Sequence, residues 1–163
     1  MEINIISVEE SKLDYSKSLE ELTAFFDANA NNPEYRCGEF MMLGYAIDFV
    51  GLMGKIANVK LDLSEGSIAI LDQLLIALSD GVKKGVFNQT AFEGQLKGAT
   101  GLFSLIVWKN LGGSFINSNV GYGVSVNGTN AFVLNRVGRR LQGDATSDLV
   151  SLYVALKNAK ENK

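Results

Sequence analysis

Histidine does not occur among the 163 residues, and cysteine, proline and tryptophan occur once each, as Cys37, Pro33 and Trp108. Without an imidazole, the chain has no histidine base, no Ser-His-Asp or Cys-His arrangement and no HExxH zinc site. One cysteine permits no intrachain disulfide and no cysteine-rich zinc site. The Gly-Lys-Ser/Thr phosphate loop is missing, as are the lysine strand and catalytic loop of a kinase. No cofactor and no metal are therefore expected. A basic surplus is missing too: the formal net charge is -3 and the pI about 5.0, so nucleic acid is not an expected partner. The opening stretch MEINIISVEESK has neither the basic start nor the long apolar run of a secretory signal, so a cytoplasmic location is expected.

What is present is an ordinary globular composition, 47% hydrophobic and 20% charged, in a length that suits a single domain over 1–163. Residues Ile3 to Val8 read as a short strand or a loose arm. Ser16 or Ser18 then offers an N-cap to a helix bearing Leu19, Leu22, Phe25 and Phe26, with Glu20 and Glu21 in its first turn. Pro33 fits the first turn of a second helix that runs to Ile56. That helix is apolar nearly all round, as a central buried helix would be. A membrane span is the rival reading, opposed by Asp48, Lys55 and three glycines. Asp48 shares a stripe with Gly44 and Gly51, which is either a solvent stripe or a place of close backbone approach.

Lys60 to Leu63 reads as a linker, and Ser64 as the N-cap of a third helix whose apolar face is Ile68, Leu71, Leu75 and Leu78. Gly81 and Gly85 mark its end. A fourth helix starts at Asn88 or Thr90 and stops at Gly112-Gly113; Gly94, Gly98 and Gly101 along it imply a tight helix contact. Asn127-Gly128 is a two-residue type I′ hairpin turn. It pairs Val126 with Thr129, Val124 with Ala131 and Tyr122 with Val133, and sets Gly121 and Gly123 across from Leu134 and Phe132. With a preceding strand, Ser114 to Asn117, the sheet is about three-stranded. A short helix over Asn135 to Gln142 follows, then a final helix capped by Thr146 or Ser147 with Leu149, Leu152, Tyr153 and Leu156 on one face and a fraying lysine tail from Lys157. The expected fold class is α+β: four N-terminal helices packed with a small antiparallel sheet and a C-terminal helix.

The candidate site residues are Tyr122, Arg136, Arg139 and Arg140. Arg136 and Arg140 fall at i, i+4 on a helix and suit a phosphate or a partner's carboxylate. They equally suit a solvated face, or pairing with Asp144 and Asp148. The glycine-bearing stretch Gly121 to Gly128 has no helix after it and reads as a strand, not a nucleotide loop. No spacing singles out a carboxylate pair among Asp48, Asp62, Asp72, Asp80, Glu93, Asp144 and Asp148. Of these, Asp48 and Asp72 stand on the most apolar helices. Cys37 has Arg36 beside it but no base, and reads as structural.

Several features of residues 64–156 occur together. These are the leucines from Leu71 to Leu78, Trp108 with Gly112-Gly113, the Tyr122–Phe132 hairpin, Asn135-Arg136, and the segment Ser147 to Tyr153. This set resembles a group of small uncharacterised bacterial α+β domains. A Gly-Glu pair belongs to the second helix of that group; here Gly101 is followed by Leu102, so any role of that glutamate is missing. The resemblance implies the fold and, since some such domains occur near toxin or secretion genes, immunity or partner binding. The expected function is a non-enzymatic, cytoplasmic protein-interaction module, regulatory or immunity-like, whose partner is another protein or a second copy of itself. The alternative is a small-molecule or anion-binding protein that uses Arg136 and Arg140 beside the hairpin. A histidine-free hydrolase comes third.

Overall fold

A computed structural model describes residues 2–35 and 38–162. Arg36 and Cys37 lie outside the described residues, and so does the structural reading of Cys37. The fold is α+β; the described residues form six α-helices and a four-stranded antiparallel sheet in the order β1-β2-β3-β4. The fourth strand is the N-terminal segment, β1 (Ile5–Glu10), which joins the sheet as an edge.

Helix α1 (Leu19–Asn29) begins at Ser18 with a reciprocal cap. The Ser18 hydroxyl accepts the Glu21 N–H at 3.1 Å, and the Glu21 carboxylate accepts the Ser18 N–H at 3.2 Å. Pro33 does not open the next helix. It starts a separate 3-10 turn (Pro33–Tyr35), closed where the Asn32 carbonyl accepts the Tyr35 N–H at 3.1 Å, with Asn32 Oδ1 accepting the Glu34 N–H beside it.

Helix α2 (Gly38–Ile56) buries Phe40, Met42, Leu43, Ala46, Phe49 and Met53 but exposes Met41, Leu52 and Ile56. It is not the central helix that its apolar sequence suggests. That place belongs to α4 (Gln89–Leu111), in which every residue from Gly98 to Trp108 is buried. The reason is the glycines. At Gly98 a Cβ would collide with the Phe49 side chain, and at Gly101 with the Met42 carbonyl oxygen, so the α4 backbone packs against a side chain of α2 at the first and against its backbone at the second. Gly94 has nothing near it and plays no part. Asp48 and Gly51 do face solvent, whereas Gly44 lies under the Phe26 ring.

Lys60 to Leu63 is not a linker, because Leu61 and Leu63 are both core residues. Ser64 does not cap α3 (Gly66–Lys83). Its N–H and hydroxyl both go to Asp62 Oδ1, which also accepts the Ser67 hydroxyl at 2.9 Å. The predicted face Ile68, Leu71, Leu75 and Leu78 is buried.

Strands β2 (Ser114–Ser118), β3 (Gly121–Val126) and β4 (Thr129–Ala131) continue the sheet. Asn127 and Gly128 take φ 48° and 85°, as a type I′ turn requires. Val126 pairs with Thr129 and Val124 with Ala131, as the turn dictates. Tyr122 and Val133 do not pair, because the chain leaves the sheet after Ala131 and Val133 opens α5 (Val133–Leu141). The glycines on β3 are nevertheless used. Leu134 lies over Gly121, and the Ala131 carbonyl, followed by the Phe132 backbone, lies over Gly123, so the end of β4 and the start of α5 cover that end of the outer face. Phe115 and Val124 fill the inner face against the helices. Helix α6 (Leu149–Glu161) is capped by Asp148, which accepts the Ser151 N–H at 2.9 Å. Thr146 and Ser147 cannot cap it, since both hydroxyls are bonded to the Asp144 carboxylate. The lysine tail is helical through Glu161, and Lys157 reaches Glu65 at 3.3 Å.

Candidate interaction site

The three arginines do not converge on open space. Arg136 donates from Nε and Nη2 to the Asp148 carbonyl, at 3.2 and 2.8 Å. Arg140 Nη2 lies 3.2 Å from Asp72 Oδ2, with the two side chains 11% and 8% exposed. Asp72 Oδ1 also accepts the Leu149 N–H at 3.0 Å. This carboxylate therefore serves as a remote cap of α6 and as the counter-ion of α5, and Arg136 and Arg140 fasten the start of α6 to the body. Arg139 is exposed and lines a 220 Å³ depression with Arg136, Ile3, Asn130 and Phe132. Tyr122 belongs elsewhere, its ring 5.1 Å from that of Phe115.

One carboxylate without any distinguishing sequence context proves to be the most heavily bonded. Glu39 is 2% exposed. Its carboxylate accepts the Ser11 and Tyr15 hydroxyls and the Lys12 and Leu13 N–H groups, at 3.0 to 3.1 Å. Lys109 Nζ donates to the carbonyls of Tyr15 and Lys17 from the other side. The segment that follows β1 is thus pinned from two directions. A signal for Glu39 was present only in its place: a lone acid in the first turn of an apolar helix.

Elsewhere the acids serve local structure. Asp62 is held below the usual aspartate range, first by the Ser64 hydroxyl and then by its N–H. Asp144 is lowered by the Thr146 and Ser147 hydroxyls, and Asp148 by the Ser151 N–H. Tyr153 donates to Glu65, and burial with that bond pushes its phenol well above the ordinary range. Among the described residues, no group of three or more Asp, Glu, His or Cys is placed to hold a metal. No helix among them is long and apolar enough to cross a membrane.

The chain matches no protein-family model, no curated protein and no solved structure.

Two surface features remain. The larger cavity, 560 Å³, is a groove between the start of α1, the outer side of α2 and residues 58–62. Its floor is apolar, with Leu19, Ile47, Val50 and Val59, and α2 presents bare backbone to it at Gly51 and Gly54. The second feature is β1. It pairs with β2 through Ser7–Asn117, Val8–Ile116, Glu9–Phe115 and Glu10–Ser114, with Ile6 as an extra residue at a bulge. Asn119 fixes its start, donating to the Asn4 carbonyl and accepting the Asn4 N–H at 2.9 Å. Among the described residues no strand lies on its other side. Ile6 and Val8 are 68% and 60% exposed, and Ile3 and Ile5 are exposed beside them.

The opposite edge differs. β4 has three residues, exposes Thr129 and Asn130, and stands next to α6, to which Asn127 Nδ2 donates at the Ala159 carbonyl. Short polar edges of this kind resist pairing, whereas a six-residue edge bearing isoleucine and valine invites it. The stretch Ile3 to Val8 suits a strand or a loose arm, and pairing with β2 makes it a strand. Its partner strand lies more than a hundred positions away in the chain.

Proposed function

We propose that this chain is a non-enzymatic protein-interaction module which adds an extended strand of another polypeptide to the open edge of β1. The observation that supports this most is the combination on one strand of an unpaired backbone edge with exposed Ile6 and Val8. An added strand supplies partners to the free backbone groups and takes those side chains out of water. The anchoring of the flanks by Asn119 and Glu39 holds the edge in strand form before the partner arrives, which lowers the ordering cost of binding. A regulatory or immunity-like role in the cytoplasm is part of the same proposal, in line with what the resemblance of residues 64–156 implies. Anion binding through Arg136 and Arg140 has less support, because both side chains are engaged within the chain.

The test is comparative capture. Wild type, Val8→Lys and, as a surface control, Val154→Lys on α6 are used as baits in extract of the native host. Chains retained by wild type and by Val154→Lys, and lost with Val8→Lys at unchanged melting temperature, are the expected result. Equal retention by all three baits, or none by any, overturns the proposal.

A further inference from the structure

Two of the three arginines of α5 share a concavity that strand addition at β1 does not use. The 220 Å³ depression beside β4 is lined by Arg136, Arg139, Asn130 and Asn135, with Phe132 and Leu152 on its apolar side. Among the described residues no acid lines it. Neither arginine has an ion-pair partner among them either. Arg136 donates from Nε and Nη2, but to a carbonyl, which carries no formal charge to match its own. Arg139 is exposed and its side chain makes no hydrogen bond among the described residues. The acids that follow in the chain are taken up in their own turn. Asp144 accepts the Thr146 and Ser147 hydroxyls, and Asp148 accepts the Ser151 N–H.

The depression thus gathers two guanidinium groups without counter-ions and two side-chain amides that can donate. It opens at the head of α5, where Phe132 supplies no side-chain cap. The first-turn N–H groups of the helix therefore add to the positive potential that the arginines set up. The depression lined by Arg140 and Lys83 differs on both counts. Asp80 stands in it, and Arg140 is matched by Asp72 at 3.2 Å.

Charge and size select the ligand. Two unmatched cations suit a dianion, and a phosphomonoester carries about −1.5 to −2 at pH 7, whereas a carboxylate carries one charge. Guanidinium groups also present their donors in a fork that fits phosphate oxygens. The volume is below the roughly 300–1,000 Å³ of sites for drug-sized ligands, which leaves room for a phosphate group with a small substituent against Phe132 and Leu152 and not for a nucleotide. Independently of the β1 edge, we propose that this depression is a binding site for a phosphate dianion, free or as a small monoester, held by Arg136 and Arg139 with Asn130 and Asn135 as further donors.

The experiment titrates the full chain with inorganic phosphate, phenyl phosphate and acetate at constant ionic strength, followed by calorimetry and by amide NMR shifts. Saturable binding of one phosphate per chain is expected, with shifts centred on residues 130–139 and no binding of acetate at the same concentrations. Arg139→Gln weakens binding by roughly tenfold through loss of charge-assisted hydrogen bonds. Its melting temperature without ligand stays that of wild type, because the side chain makes no bond within the fold. Arg136→Lys keeps the charge but loses the fork, and weakens binding as well. Lys84→Gln removes the same charge from an exposed position elsewhere and leaves binding unchanged. Tighter binding of phenyl phosphate identifies an esterified phosphate and equal binding the free ion; both uphold the site. Absence of saturable phosphate binding, equal effects of Arg139→Gln and Lys84→Gln, or acetate binding as tight as phosphate overturns it.

Discussion

The Tyr15 hydroxyl donates to Glu39 Oε1 at 3.1 Å, joining the segment after β1 to the first turn of α2 at a carboxylate that is 2% exposed. Three further donor groups from Ser11, Lys12 and Leu13 complete it. Removal of the acceptor strands these donors, and each unmade buried bond costs about 1–3 kcal/mol. Glu39→Ala is predicted to lower unfolding free energy by about 3–5 kcal/mol in urea titration. Glu39→Gln, which keeps an acceptor oxygen, loses less. Amide exchange over residues 11–15 should quicken in both. A loss below about 1 kcal/mol in Glu39→Ala contradicts an organising role.

Asp72 joins α3, α5 and α6 through Arg140 and the Leu149 N–H. Asp72→Ala leaves Arg140, 11% exposed, without its counter-ion, and is predicted to cost about 3–5 kcal/mol. Asp72→Asn retains an acceptor for Leu149 and costs about half as much. Both values are read from chemical denaturation. Equal stability of wild type and Asp72→Ala would remove the junction from the account.

The α2 and α4 glycines separate by their neighbours. A Cβ at Gly51 would meet nothing within 4 Å, and one at Gly54 would meet only the Val59 carbonyl at 3.9 Å. Gly51→Ala and Gly54→Ala are therefore predicted to stabilise by about 1 kcal/mol each through helix propensity. Gly101→Ala drives a methyl into the Met42 carbonyl and is predicted to destabilise by about 2 kcal/mol or more. Thermal melts of the three variants check the signs.

Acid should matter and neutral pH should not. Asp62, Asp144 and Asp148 have folded values below the ordinary 3.8. A lowered carboxyl contributes stability that is present in full above the unfolded value and is lost as pH falls through the folded one. The melting temperature is predicted to drop as pH falls from the ordinary aspartate value through the lowered ones. With no histidine in the chain, it should stay level between about pH 5 and 8. A marked slope in that neutral window contradicts the assignment.

Local chemistry was readable in the sequence where one short stretch decides the outcome. Asn127-Gly128 fixed the hairpin register for two pairs, Ser18, one of two candidate caps, capped α1, and Gly112 ended α4. What failed depended on a competing partner, either a neighbouring acid or a group brought near by packing. Ser64, Thr146 and Ser147 were plausible caps, but Asp62 and Asp144 claim their hydroxyls. Val133 followed an alternating pattern, yet helix formation with Val137 and Leu141 buried took it out of the sheet. Arg136 and Arg140 were rightly placed on one short helix, but the groups they reach, the Asp148 carbonyl and Asp72, are set by packing. The β1–β2 pairing joins residues over a hundred positions apart, a separation at which no periodicity carries information.

Amide hydrogen exchange across Ile5–Glu10 tests the central claim most directly, measured on the protein alone and again with a captured partner chain. The account predicts that amides of β1 gain protection on engagement and that Val8→Lys abolishes the gain. Protection that arises instead along the α1–α2 groove at Ile47 to Gly54, with β1 unchanged, would contradict it.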